Sequence, residues 1–157
     1  MLRISKLSDY AIVIMSYLAE VPEQIVSATT IASDVHVGLP TVSKILKLLT
    51  SAELVASFRG TVGGYQLARS PKKITIADIV TAIDGKLAMT ECCVETGLCA
   101  IDSLCSLKNN WQLINRVVLT ALNGLTLQDM IRPLHKHPMM MKGIPIKLRT
   151  QKSQELA

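Results

Sequence analysis

Four cysteines, Cys92, Cys93, Cys99 and Cys105, lie within the stretch "ECCVETGLCAIDSLCSLKNNW", and the rest of the chain has none. Cys93, Cys99 and Cys105 follow a C-x5-C-x5-C pattern, and Cys92 is the immediate neighbour of Cys93. A structural zinc site generally uses a C-x2-C knuckle to aim two sulfurs at one tetrahedral ion. No such knuckle is present. Five-residue spacers make a wider loop, with Gly97 as its flexible point, and a wide loop suits an iron–sulfur cluster better than a single ion. Three thiolates leave one ligand position short. Adjacent side chains leave the backbone in different directions, so Cys92 is read as a spare or redox thiol in preference to the fourth ligand, which stays its alternative role. No histidine closely follows Cys105, because residues 106–110 are Ser, Leu, Lys, Asn and Asn. His36, His135 and His137 lie in other segments and read as surface residues, which leaves a carboxylate as the remaining ligand class.

The elements that would hold this loop are mostly helical. Apolar residues make up 49% of the 157 and aromatic residues 3%, a balance that favours helices packed through aliphatic side chains. "SKLSDYAIVIMSYLAEVP" has a helical apolar period, a cap at Ser5 or Ser8, and a stop at Pro22. A short helix capped by Ser27 or Thr29 runs to about Val35. The turn "HVGLP" follows, with Gly38 free to take positive φ, and a second helix spans Thr41 to about Ala52. Its apolar stripe is Val42, Ile45, Leu46, Leu48 and Leu49, leaving Thr41, Ser43, Lys44 and Lys47 largely on the other face. This is the pattern of a helix-turn-helix. Two β-like stretches, Leu54–Phe58 and Tyr65–Ala68, flank "RGTVGG" and predict a hairpin, so the unit reads as a winged helix.

Another helix is expected between Thr75 and Gly85. Beyond the cysteines, a long amphipathic helix is expected over Ser103–Leu122, with Trp111, Ile114, Val117, Val118 and Ala121 or Leu122 on one stripe. That stripe predicts a homodimer through the long helix. Thr126–Ile131 reads as one or two helical turns. The overall expectation is a mainly α protein with a small β-hairpin. It divides into a winged helix-turn-helix over 1–84, a cysteine loop over 85–106, a dimerisation helix region over 103–131 and a flexible basic tail over 132–157.

Charge separates along the same lines. Residues 1–131 carry 11 basic and 11 acidic side chains, whereas 132–157 carry six basic and one acidic. A local basic excess at 39–73 sets Lys44, Lys47, Arg59, Arg69, Lys72 and Lys73 against Glu53 alone, which suits a nucleic-acid face. No paired acid–base set, nucleophile elbow or phosphate loop is present, so an enzyme is not expected. No targeting or membrane segment is read, which points to the cytoplasm. Clustered thiols in that compartment are more often metal ligands or redox groups than disulfides.

Taken in order, "LRISKLSDYAIVIM", "RGTVGGYQLAR" and the C-x5-C-x5-C loop before a long helix resemble the IscR/NsrR family of winged-helix iron–sulfur regulators over about residues 1–131. "MLRISKLSDY" and the Cys92–Cys93 pair look most like the branch that controls the SUF cluster-assembly operon. The resemblance implies a dimeric regulator of double-stranded DNA with palindromic operators, carrying a 2Fe–2S or 4Fe–4S cluster. It implies cluster ligands at Cys93, Cys99 and Cys105. The IscR-type histidine position is Lys108 here, and the NsrR-type aspartate, supplied by the other subunit, matches Asp9. It implies DNA contacts from the helix over Pro40–Lys47, with Thr41, Ser43 and Lys44 aimed at bases or phosphates. Arg59 matches the family's minor-groove arginine, and Gly63 and Gly64 would let the wing backbone approach DNA. A nitric-oxide-sensing repressor of the same family is the alternative, and a thiol redox or electron-transfer protein is the competing class.

Overall fold

The computed structural model describes residues 4–60, 62–94, 98–101, 103–132 and 134. Helix α1 (Lys6–Glu20) starts at Ser5, whose Oγ accepts from the Ser8 backbone N–H at 3.0 Å. Helix α2 (Ala28–Asp34) is capped the same way by Ser27, and α3 (Leu39–Ser51) carries Pro40 in its first turn. The hairpin strands β1 (Val55–Phe58) and β2 (Gly64–Leu67) are antiparallel, with Val55 opposite Leu67 and Phe58 opposite Gly64. Helix α4 (Ile76–Asp84) has a full capping box between Thr75 and Asp78. A single turn, α5 (Glu91–Val94), precedes α6 (Lys108–Asn123), and α7 (Leu127–Met130) follows it.

One aliphatic core joins these elements. Ile14, Met15 and Leu18 of α1 meet Ile45, Leu46 and Leu49 of α3 and Ile79 of α4, all fully or almost fully buried. Each such side chain contributes about 1.5–3 kcal/mol on burial. Leu127 is also fully buried, so the chain returns to this core after α6. The return is fixed by a short bridge in which Ile76 N–H donates to Leu125 O at 2.9 Å and Leu127 N–H to Ile74 O at 2.8 Å. The Tyr17 hydroxyl donates to Asp34 Oδ2 at 2.7 Å and ties α1 to α2. That bond to a carboxylate, with lesser help from burial and from the Asp34 charge, raises the Tyr17 pKa. The raised value means the contact's contribution is complete below the ordinary phenol pKa and is lost only as pH climbs above it.

Several sequence expectations shift. The long helix begins at Lys108 and not near Ser103, since residues 103–107 form turns. The positive φ expected at Gly38 is absent: Gly38 has φ −55°, and the left-handed residue of the turn is His36 at φ 54°. Glu53, just after α3, is also left-handed at φ 57°. In the wing, the positive φ belongs to Gly60 at 118°. Gly97 and, apart from Arg132 and Leu134, the tail lie outside the described residues.

Gly63 and Gly64 are needed for close approach of the chain to itself. A Cβ on Gly64 would sit 2.5 Å from Val26 O, and one on Gly63 would sit 2.6 Å from Phe58 O. Close contact at Gly64 is what lets Val26 and Tyr65 exchange backbone hydrogen bonds at 3.0 and 2.8 Å, holding the wing to the α1–α2 loop. Gly64→Ala is therefore expected to destabilise the protein by about 1–3 kcal/mol, as overpacking does. Glu53→Gly, which removes left-handed strain at the cost of a freer unfolded chain, should stay within about 1 kcal/mol of the parent. Urea denaturation of the two variants measures both, and an unchanged midpoint for Gly64→Ala would refute the packing role.

Candidate nucleic-acid interface and thiol segment

Two sets of side chains stand apart from the core. The first lies on α3 and the wing. Burial of Val42, Ile45, Leu46 and Leu49 turns the opposite face of α3 outward, and Ser43, Lys44 and Lys47 are exposed there, with Thr41 half-buried. Arg59 and Gly60 are exposed at the end of β1, and Val62 is 83% exposed at the wing tip. The expected DNA-facing side chains are thus presented to solvent on a helix and an adjoining hairpin. The exceptions are Gly63 and Gly64, half-buried and buried respectively, whose packing against protein backbone is described above.

The second set is the thiol segment between α4 and α6. All four cysteines are free and half-buried. Cys93 N–H donates to Thr90 O at 2.9 Å, closing the turn that opens α5. Thr90 Oγ1 lies 3.1 Å from Cys92 Sγ and 3.3 Å from Cys93 Sγ. Both sulfurs therefore share one hydroxyl as a neighbour. Among the described residues no three of His, Cys, Asp and Glu are gathered closely enough to hold a metal ion. The donor set has the chemistry for an iron–sulfur cluster, but Cys93, Cys99 and Cys105 are not drawn together within this chain. Asp9 is exposed in the first turn of α1, where a negative charge complements the helix dipole. Lys108 is the first residue of α6.

Two polar anchors position this segment, and sequence reasoning did not single them out. At its start, Asp84 accepts from Ser5 Oγ at 2.7 Å and from Ser8 Oγ at 2.8 Å. Ser8 is fully buried, so this carboxylate satisfies a hydroxyl that water does not reach. Further along, Met89 N–H donates to Asn115 Oδ1 at 3.0 Å. Asn115 is only 9% exposed and is the buried residue in the middle of α6. The available signal was an amide four residues after Trp111, on a face otherwise read as apolar. Leu113 and Ile114 on α6, and Leu98, Ile101, Leu104 and Leu107 before it, are 44–87% exposed, which leaves apolar side chains uncovered on the helix and ahead of it.

Comparison with known proteins bears on both sets. The family model Rrf2, described as an iron-dependent transcriptional regulator, matches residues 4–133. The protein rrf2 of Nitratidesulfovibrio vulgaris is 31% identical over 110 residues, covering 70% of this chain and 73% of that one. Among solved structures, T. potens IscR superposes with a TM-score of 0.64 at 29% identity, covering 83% of this chain and 86% of that one. CymR, the global cysteine regulator of B. subtilis, gives 0.66 at 29% identity, covering 83% and 97%. The helices and two-stranded sheet match the winged-helix architecture of these regulators.

The Asn115 anchor yields a direct expectation. Asn115→Leu keeps the side chain's bulk but strands the Met89 N–H, at a cost of about 1–3 kcal/mol. Asn115→Asp retains an acceptor and should cost less. Denaturation of the metal-free protein gives the stability change, and the alkylation rate of Cys92 and Cys93 should rise in the leucine variant. Equal stability and equal thiol reactivity for parent and Asn115→Leu would show that the bond does not hold the segment.

Proposed function

Because the chain belongs to the Rrf2 family of iron-dependent transcriptional regulators, we propose that it is a homodimeric repressor whose DNA binding follows the state of an iron–sulfur cluster, and that it controls SUF-type cluster-assembly genes. The single observation that carries this reading is the thiol segment. Four free, half-buried cysteines are suspended between Asp84, which reaches the start of α1, and Asn115, in the middle of α6. The Fe–S and SUF assignments rest on the resemblance of that segment and of the N-terminal and wing motifs to the IscR/NsrR regulators. The protein is not an enzyme, and no helix among the described residues is long and apolar enough to cross a membrane. A cytoplasmic location is part of the proposal.

In this reading α3 enters the major groove, where Thr41, Ser43, Lys44 and Lys47 meet base edges and phosphates. Arg59 enters the adjacent minor groove, whose narrow, negative stretches attract a guanidinium. Both elements rest on the core through the buried face of α3 and the Val26–Tyr65 contact, so they move as one head. The uncovered apolar side chains of α6 and the loop are assigned to the second copy, which would position two heads on a palindromic operator.

Cys93, Cys99 and Cys105 would hold the cluster as thiolates, and Asp9 of the partner subunit would complete the ligand set. When bound, such a cluster supplies a centre whose ligation responds to iron, oxidants or nitric oxide. Ligation of three thiols by one centre would couple to the position of the segment that carries them. Asp84 and Asn115 tie that segment to α1 and α6, which gives the cluster a route to both helices.

Anaerobic purification with a visible absorption spectrum and iron and sulfide counts tests the cofactor. Replacing Cys93, Cys99 or Cys105 by Ala should abolish the spectrum, and Asp9→Ala should leave the fold intact with a labile or altered cluster. A parent protein with no iron or sulfide after anaerobic isolation and reconstitution would refute the cluster reading. For DNA, Arg59→Ala should weaken operator binding by about 1–3 kcal/mol at fixed salt. Unchanged affinity would remove Arg59 from the interface.

A further inference from the structure

Thr90 Oγ1 contacts Cys92 Sγ at 3.1 Å and Cys93 Sγ at 3.3 Å, so both sulfurs lie within hydrogen-bond reach of one hydroxyl. The turn itself is closed by the Cys93 N–H bond to Thr90 O at 2.9 Å. Both thiols are free and half-buried, open enough for a small reagent to reach. No disulfide occupies them, and the cluster reading uses only Cys93 and leaves Cys92 without a task.

We propose that Cys92 and Cys93 form a vicinal dithiol site that chelates a trivalent arsenical. Adjacent thiols on one turn are already at high effective concentration for a shared centre, so the second bond forms without a second encounter. Sulfur donors favour soft centres and disfavour hard oxygen-seeking cations, which sets the chemical class. The reaction with an organic arsenoxide balances without an oxidant. Two sulfur–arsenic bonds form, the arsenic–oxygen bond breaks, and the oxygen leaves as water with the two thiol protons. Arsenic remains trivalent throughout. Thr90 is the positioning residue, since its hydroxyl is the common neighbour. Met89, one residue before Thr90, is bonded to Asn115 of α6, which ties the start of this turn to that helix.

This site is independent of the cluster reading, because it is tested on full-length, metal-free protein. Phenylarsine oxide is added in the presence of excess mercaptoethanol, which removes arsenic held by a single thiol, and intact mass reads the adduct. The parent, Cys99→Ser and Cys105→Ser proteins are expected to retain one phenylarsenical per chain. Cys92→Ser and Cys93→Ser are each expected to bind about a hundredfold or more weakly, the loss of a chelate. A parent that forms no stable adduct overturns the proposal. So does an adduct that survives Cys92→Ser but is lost in Cys99→Ser or Cys105→Ser, since the chelate would then belong to a different pair.

Discussion

The Asp84 carboxylate holds the molecule together at a point where two chain directions meet. It ends α4, and it accepts hydroxyl protons from Ser5 and Ser8 at the start of α1. The first of these serines caps α1 and the second is sealed from water, so the carboxylate braces the capping side chain, places a negative charge at a helix N-terminus and satisfies a buried group. Everything that follows Asp84 in the chain leaves from this anchored point. The thiol segment therefore starts at a fixed position relative to α1, although α1 is remote in sequence. Asp9, the carboxylate proposed to serve the second copy's cluster, stands one residue beyond Ser8 on the same first turn.

Helix α6 is held at its middle and just past its C-terminal end. Asn115 accepts from Met89 N–H on one side, and the backbone bridge around Thr75 and Thr126 returns the chain to the core just past the helix. A helix that carries uncovered apolar side chains is thus fastened to the body of its own subunit by polar bonds. Under the proposed dimer, that division leaves the apolar side chains free for the second copy while the polar bonds hold the helix to its own subunit. It also explains why a single buried amide is placed in a helix whose periodicity otherwise reads as apolar.

Much of this was legible in the residues. Ser5, Ser27 and Thr75 announce helix starts because short hydroxyl side chains satisfy orphan N–H groups, and each caps a helix where expected. The α3 stripe was readable because its period matches the buried residues. The thiol segment stood out by composition alone. What sequence did not yield were long-range polar partners. Asp84 with Ser5 and Ser8, and Met89 with Asn115, pair across 76–79 and 26 residues, and no local pattern encodes that. The left-handed position expected near Gly38 falls on His36 instead, because that residue closes α2 locally, with Val37 N–H donating to Ala32 O at 3.2 Å. Nor did the sequence point to Thr90 as a common neighbour of Cys92 and Cys93.

Among the described residues, His36 and Glu53 are the left-handed non-glycine positions. His36 closes α2, where Val37 N–H donates to Ala32 O at 3.2 Å, and Glu53 closes α3, where Leu54 N–H donates to Leu49 O at 3.0 Å. The left-handed conformation costs an L-residue roughly 1–2 kcal/mol, and at each corner it is offset by the helix-end carbonyls that it lets the chain satisfy. The corner at Glu53 therefore ends α3 at a set residue, two positions before β1 begins at Val55. The step from the exposed Lys47 to the exposed Arg59 passes through that one corner and a short strand, which leaves little slack between helix and wing.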